Sequence, residues 1–539
     1  MKTGPSIGLW IALVLYAVLA FTTVRAVGFV GEVDIGWALA EPPKVLAQWE
    51  PPLDSAVGGD LGVLQARQTR PLESLRGDGW RLPLAVNAYT SGLPDWPARA
   101  ARAVTGERGA GVAMTVALGG LLLALAHRFL RFHGTPTSAG AVALLLASDW
   151  VFVFFKKVLG GTELLLQAAG LLVIWALWSR RWKGGRHGTL AIAIGVGLGL
   201  AAKITFAGTL AAFAVAAWLT RRDRPNVFPP APLRLAVLCV VPLACLAPEL
   251  VSLGHHAALG DVPRIVSHDT LGLQGGRLFD GAHLGREAFA NLWRYVGNPL
   301  GWLADAWGTT PVQALSLGRG LTLTLGVAGA AMEWWHRTRS PSAALLRFLS
   351  LAVPIQIAAL FLLNHDLHHL AEASVPLALL TALGVDRVAS EVTRPRSPTR
   401  AFLLALLVLP AVGAGALQLR ATDAVVRTAR ARTFTADGQA ALASFLRAHD
   451  VHRLVVNDYE LYGTLEQLVP EVEVVHGWGA VSRKQRSVEG LTAAAKGGYY
   501  LIVRPSAPFI YNWSAKDVGV PVGALADDSG VWAELRRVD

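Results

Sequence analysis

The sequence predicts an α-helical polytopic membrane protein ending in a small α/β domain. Three observations predict it. Of 539 residues, 53% are hydrophobic and only 16% charged, with a mean hydropathy of +0.43, more apolar and less charged than ordinary soluble domains. Apolar runs of membrane-spanning length recur up to about residue 420. Beyond Arg420 the pattern changes to short alternating strand and helix signals.

About eleven spans are expected: residues 7–28, 109–130, 138–156, 163–179, 189–202, 204–220, 233–253, 313–332, 345–363, 369–387 and 401–419. The first is read as an uncleaved helix rather than a signal peptide, because its apolar stretch runs on to Val30. With the N-terminus inside, the basic groups Arg128/Arg131, Arg180–Arg186, Arg221–Arg224, His336/Arg337/Arg339 and Arg394/Arg396/Arg400 all fall on the cytoplasmic side. The net charge of +11 is therefore loop charge that orients helices and meets anionic lipid; it is no nucleic-acid signal. Cys239 and Cys245 share one apolar run, where they read as buried small hydrophobes rather than a disulfide pair.

Lys203 is the only charge in the stretch 190–219. A straight helix of that length would reach roughly 45 Å at about 1.5 Å per residue, well beyond a hydrocarbon core of about 30 Å. Basic clusters flank the stretch on both sides, so a single crossing would strand one of them outside. A hairpin with Lys203 at its tip satisfies both. That places an ammonium near the outer face, where it either binds an anionic group such as a phosphate or snorkels to the headgroups.

The large connections then lie outside: loops 30–106 and 254–312, and the tail 421–539. Pro94–Val104 reads as an amphipathic piece of the first loop and Phe289–Trp307 as an interfacial helix in the second. In the tail, helices are expected at 436–449 and 483–496, and strands at 453–457, 472–475, 499–503 and 531–535.

Several polar groups share the outer side. Glu32 and Asp34 follow the first span, two residues apart, and a carboxylate there can take the proton of an incoming hydroxyl. Lys156 and Lys157 precede Glu163, which reads either as part of a binding cluster or as their counter-ion. Asp149 lies inside a span and should face a cavity or a partner. His365, His368 and His369 share one helical face, suited to hydrogen bonding a phosphate or sugar and, less specifically, to a metal. Trp37, Trp80, Tyr89 and Trp96 could stack on sugars or simply sit at the interface. No Walker loop, nucleotide-binding glycine motif or zinc-protease signature is present.

Four stretches resemble the GT-C-type membrane glycosyltransferases, in particular the bacterial protein-mannosyltransferase-like and aminoarabinose-transferase-like group: EVDIGWALA, RLPLAVNAYTSGLPDWPARAARAVTG, GLGLAAKITFAG and NHDLHHLAEASVPLALLTALG. The resemblance implies a GT-C-like transmembrane domain over 1–420 and an extracytoplasmic α/β domain over 421–539, in the bacterial cytoplasmic (inner) membrane. It implies inverting transfer of a sugar from a polyprenyl-phosphate donor to a lipid, glycan or protein acceptor at the outer face. Asp34 would be the base, Lys203 a donor-phosphate contact, and His365, His368 and His369 cavity-lining residues. Glu32, Lys156, Lys157 and Glu163 belong to the same expected substrate-binding set, and a divalent cation is a possible cofactor. Two departures stand out: Asp34 is followed by Ile35 rather than a second acid, and Leu370-Ala371-Glu372 replaces more usual aromatic and aliphatic residues. The competing readings are a transporter or flippase of lipid-linked substrates and a catalytically silent glycan-lipid-binding relative.

Overall fold

The computed structural model describes residues 7–26, 73–77, 80–87, 90–91, 93–105, 110–153, 161–178, 186–221, 232–258, 317–363 and 371–392. It also describes most of 405–420, 436–456, scattered positions of 461–476, 488–503 and most of 517–539. Among the described residues the molecule is mostly helical, with two small sheets.

The helices are α1 (Ile7–Ala26), α2 (Trp96–Thr105), α3 (Ala110–His133), α4 (Pro136–Ser148), α5 (Gly161–Trp178), α6 (Arg186–Ala202), α7 (Phe206–Leu219) and α8 (Pro232–Ala258). They continue with α9 (Leu317–His336), α10 (Pro341–Leu363) and α11 (Ser374–Val392), and, in the tail, α12 (Ala436–Ala448) and α13 (Val488–Ala495). A further apolar helical stretch runs over Val408–Leu417. Among the described residues four helices are long and apolar enough to cross a membrane, at Ala113–His133, Gly161–Trp178, Pro341–Leu360 and Ala371–Glu391.

Pairwise contacts fix the direction of the central helices. Gly195 of α6 lies against Val173 and Ala169 of α5. Further along α6, Ala202 shares a core cluster with Leu166 and Ala169. Rising numbers in α6 thus meet falling numbers in α5, and the two run antiparallel. Thr209 of α7 meets Gln356 of α10, while Phe213 packs on Phe348 with ring centroids 6.0 Å apart, so α7 and α10 are also antiparallel. Trp178 at the end of α5 packs at a tilt on Phe348 near the start of α10, centroids 4.5 Å apart. These directions require α6 and α7 to run oppositely. The long apolar run is a hairpin, and Lys203 stands at its tip.

Two local features interrupt the apolar helices. Asp149 ends α4 with an extended backbone, φ −70° and ψ 116°. Its Oδ1 accepts from the Val151 amide at 2.9 Å, which starts a new helical turn over 150–153. The expected span 138–156 is therefore broken at its acid, because the side chain competes for the backbone amides that would continue the helix. At α9 and α11 the backbones nearly touch. A Cβ on Gly329 would run into the carbonyl of Gly384, and one on Gly384 into that of Gly326, the small-residue packing that lets helices approach closely.

The first sheet, order β1-β2-β3, comprises Glu73–Gly77, Trp80–Asn87 and Thr90–Ser91, all antiparallel. The sequence reading did not anticipate it. It leads through Leu93–Asp95 into α2, which matches the expected amphipathic piece. Pro94 lies directly over Gly161, where any side chain would collide with its carbonyl.

The tail forms a five-stranded mixed sheet, order β5-β4-β6-β8-β7, from β4 (Arg453–Val456), β5 (Glu473–His476), β6 (Gly498–Val503), β7 (Val520–Asp527) and β8 (Gly530–Val538). β4 pairs in parallel with β5 and β6, whereas β8 is antiparallel to both β6 and β7. Alternation sorts the central strands onto two faces. Leu454, Val456, Leu501 and Val503 pack with Leu442 and Leu446 of α12. Val455 and Tyr500 pack with Leu491 and Ala495 of α13. Gly519, at φ +67°, makes the turn into β7, and Arg536 clamps it by donating to the carbonyls of Val518 at 2.7 Å and Gly519 at 2.9 Å.

One expectation is corrected. Cys239 is exposed and Cys245 half-buried, both as free thiols. α8 turns Cys239 away from the bundle, while Cys245 rests on Gly197. Phe289–Trp307 lies outside the described residues.

Gly384→Val should destabilise the protein by about 1–3 kcal/mol or more, because the added volume meets backbone on both sides. Thermal unfolding in detergent micelles checks this; an unchanged midpoint would contradict the α9–α11 contact.

Candidate functional site

The Lys203 amide donates to Gly199 at 3.0 Å, closing α6, and its carbonyl accepts from Phe206 at 3.0 Å, opening α7. Ala207 and Gly208 donate in turn to Ile204 at 3.0 Å and Thr205 at 2.9 Å, a tight i→i+3 link that reverses the chain. The Phe206 ring lies on Gly199, which leaves no room there for a side chain. Lys203 itself is only 9% exposed.

Buried polar groups from four other segments gather at this end of the bundle. Glu163 opens α5 and is 4% exposed, and Glu372 precedes α11 and is 3% exposed. Leu166, just after Glu163 in α5, shares one apolar cluster with Ala202 and Phe206 on either side of Lys203, so the lysine and Glu163 belong to the same end of the bundle. Oε1 of Glu372 accepts a hydrogen bond from the Thr209 hydroxyl, whose oxygen accepts from Nε2 of Gln356 at 2.9 Å. Gln167, one helical turn after Glu163, donates to the carbonyl of Ala371 and pins the turn that carries Glu372. Thr209, Gln356 and Gln167 are all buried. Thr209 thus bridges Gln356 and Glu372 in one buried hydrogen-bonded chain. The arrangement buries one lysine and two acids at the same end of the bundle, with Pro94 seated on Gly161 beside it.

Of the expected site residues, Lys203 and Glu163 are brought together. Glu32, Asp34, Lys156, Lys157, His365, His368 and His369 lie outside the described residues. Sequence reasoning gave no role to Glu372, Thr209, Gln356 or Gln167. Gln167 could have been found from its i,i+4 relation to Glu163. The other contacts join residues 163 and 147 positions apart, which no local pattern reveals. Among the described residues no group of three or more His, Cys, Asp and Glu could hold a metal ion.

Two other polar places are distinct from this one. Asp149 accepts from Arg319 at 3.2 Å, so the intramembrane acid has the partner its position demanded. The pair lines a cavity of about 60 Å³ between α4, α9 and α11. At the end opposite Lys203, Glu333 is fully buried. It accepts from Arg347 at 2.6 Å and from Arg387 at 3.1 Å, and also from Thr338. Asp386 nearby accepts from Thr135 at 2.8 Å and Thr137 at 3.2 Å. A polar cavity of about 190 Å³ lies between these groups.

With this geometry in place, comparison with solved structures shows the fold. The chain has the fold of the GT-C-type membrane glycosyltransferases, as its sequence resemblance implied. ArnT from Cupriavidus metallidurans bound to undecaprenyl phosphate matches over 98% of this chain and 98% of its own, with a TM-score of 0.55 and 14% identity. The same enzyme in the apo state matches over 98% and 97%, with a TM-score of 0.54 and 14% identity. At that identity the likeness is one of fold. No family model matches the sequence, and no curated protein does either.

Thr209→Val should destabilise the protein by about 1–3 kcal/mol, because it leaves buried Glu372 and Gln356 without their shared partner. Thr209→Ser should recover most of that loss. Thermal unfolding of the three proteins checks this; equal losses in Val and Ser would contradict a role for the hydroxyl.

Proposed function

We propose that the protein transfers a sugar, with inversion, from a polyprenyl-phosphate donor to an acceptor hydroxyl at the outer face of the bacterial cytoplasmic membrane. The observation that carries this reading is the buried ammonium of Lys203 at the tip of a reversing helix pair, in a fold shared with a protein that binds undecaprenyl phosphate. An ionisable side chain buried at membrane depth is usually functional.

The basic loops orient the bundle. Arg180, Arg181, Lys183 and Arg186 precede α6 and Arg221–Arg224 follow α7, so the Lys203 end faces outward. In this reading the N-terminus is cytoplasmic and about eleven helices cross the membrane within 1–420. The loops 30–106 and 254–312 and the domain 421–539 are extracytoplasmic. The seating of Pro94 on Gly161, two residues before Glu163, supports a first loop folded over the site.

In the reaction the acceptor oxygen attacks the anomeric carbon from the face opposite the phosphate. The bond between that carbon and the phosphate oxygen breaks, and its electron pair leaves on the phosphate. Asp34 takes the acceptor's proton as general base. Lys203 stabilises the charge that develops on the departing oxygen, an interaction stronger in the transition state than in the ground state. Lys156, Lys157, Glu32 and the histidines 365, 368 and 369 complete the walls around the donor. The lipid tail runs against the apolar helices, so no soluble nucleotide sugar enters.

Asp34→Asn should lower sugar transfer to membrane acceptors by about 10²–10⁴-fold while folding stays intact. Unchanged transfer would remove Asp34 as the base. Lys203→Gln should weaken binding of undecaprenyl phosphate by about tenfold or more, the scale of one charge-assisted contact.

A further inference from the structure

We infer that the cavity of about 60 Å³ between α4, α9 and α11 is a saccharide subsite, seating one uncharged, hydroxyl-bearing ring of the acceptor; the acceptor role rests on the transfer reading above. The ion pair of Asp149 and Arg319, 3.2 Å apart, forms one wall. Ser374 forms another, and its buried hydroxyl has no hydrogen-bond partner among the described residues. Trp150, Leu145 and Leu377 supply the apolar remainder. Ser374 follows Glu372 by two residues, and Thr135 at the start of α4 bonds Asp386 at the opposite end, so the cavity lies at the Lys203 end of the bundle. Its floor is fixed, because α9 and α11 close beneath it where Gly326 lies on the backbone of Thr381.

The chemistry of the walls selects the ligand. Asp149 and Arg319 are the only charged residues lining the cavity among the described residues, and they neutralise each other. A phosphate or carboxylate there would face Asp149, and an ammonium would face Arg319, each at a repulsion that apolar surroundings strengthen. A hydroxyl meets neither objection. Adjacent ring hydroxyls can donate to the carboxylate and accept from the guanidinium at once, and a third can satisfy Ser374. A few polar groups set among aromatic and aliphatic walls are the usual make-up of a small-molecule site, and Trp150 with the leucines matches the C–H face of a sugar ring. The volume takes about four to six waters, which suits one ring rather than a whole oligosaccharide. One turn separates this place from the buried polar chain of Gln356, Thr209 and Glu372. Gln167 and Thr209 hold residues 371 and 372 from the α5 and α7 side, and Ser374 lines the cavity on the α4 and α9 side.

The test is saturation-transfer NMR of the methyl pyranosides of glucose, galactose, mannose, xylose and N-acetylglucosamine with the full-length protein in nanodiscs, with methyl phosphate and undecaprenyl phosphate as anionic probes. At least one pyranoside should bind saturably. Ala378→Leu fills the cavity and leaves the Asp149–Arg319 pair in place. It should weaken that pyranoside by about tenfold or more through steric exclusion, while undecaprenyl phosphate binds as before. Ser374→Ala removes a hydroxyl without an internal partner, so it should fold as the wild type does. It should weaken the pyranoside by about threefold to tenfold, the scale of one neutral hydrogen bond. A pair that only caps the broken span predicts no pyranoside binding, or binding that neither variant alters, and either result overturns the inference. So does Ala378→Leu weakening methyl phosphate in place of the pyranoside, which would make the cavity an anion site. Should Ala378→Leu not fold, Ser374→Ala decides alone by the same criteria. Lys203→Gln separates the two levels: if it leaves undecaprenyl phosphate binding unchanged, the donor reading falls, while the cavity variants still decide the saccharide subsite.

Discussion

The structure depends on keeping an ammonium out of water inside an apolar bundle. A buried cation without compensation costs several kcal/mol, more than most single interactions in a fold of marginal stability. Lys203 escapes that cost because the helix ends at its own position. The tip places it at the bundle end where Glu163 of α5 and Glu372, just before α11, are also buried. Had the chain continued as one helix, the same side chain would face lipid or apolar neighbours. The reversal, the small residue at Gly199 and the polar chain from Gln356 are thus parts of one solution.

Apolar packing separates this end of the bundle from the other. Trp178, Phe213 and Phe348 pack between α5, α7 and α10, all fully or nearly fully buried. Beyond them lies the Glu333 cluster, in which a buried acid accepts from two arginines and a threonine. Removing one partner from such a network leaves an unpaired buried charge, so it locks the ends of α9, α10 and α11 together. With Gly329 and Gly384 in contact, α9 and α11 form a stiff pair. The turn that carries Glu372 therefore leads into a helix anchored at its far end.

Much of this was legible in the sequence, for physical reasons that differ by region. The hairpin followed from Lys203 and its two basic flanks. The broken span at Asp149 was signalled only as an acid needing a partner, because Arg319 lies 170 positions away. Strands β4, β5, β6 and β8 were readable from apolar, β-branched or aromatic runs. β7 was not: Val520–Asp527 contains Pro521 and Gly523, and it is mostly exposed at the sheet edge, where proline is tolerated and the apolar signal is weak. β1–β3 were missed for a similar reason, in a loop dense with Pro and Gly. The same limit hid Glu372. Its neighbours in sequence mark a membrane boundary, and only folding brings it to Thr209. Asp34 and Glu32 remain readings of the sequence alone.

The central claim is that Lys203 meets the phosphate of a polyprenyl lipid. Solid-state ³¹P–¹⁵N dipolar recoupling measures this most directly, with undecaprenyl phosphate bound to protein carrying ¹⁵Nζ-lysine and Lys203→Gln as the assignment control. The account predicts a phosphorus-to-Nζ distance of about 4 Å, as for a direct ion pair, absent in the variant. Bound lipid phosphate with no lysine nitrogen closer than about 8 Å, or an unchanged signal in Lys203→Gln, would contradict it.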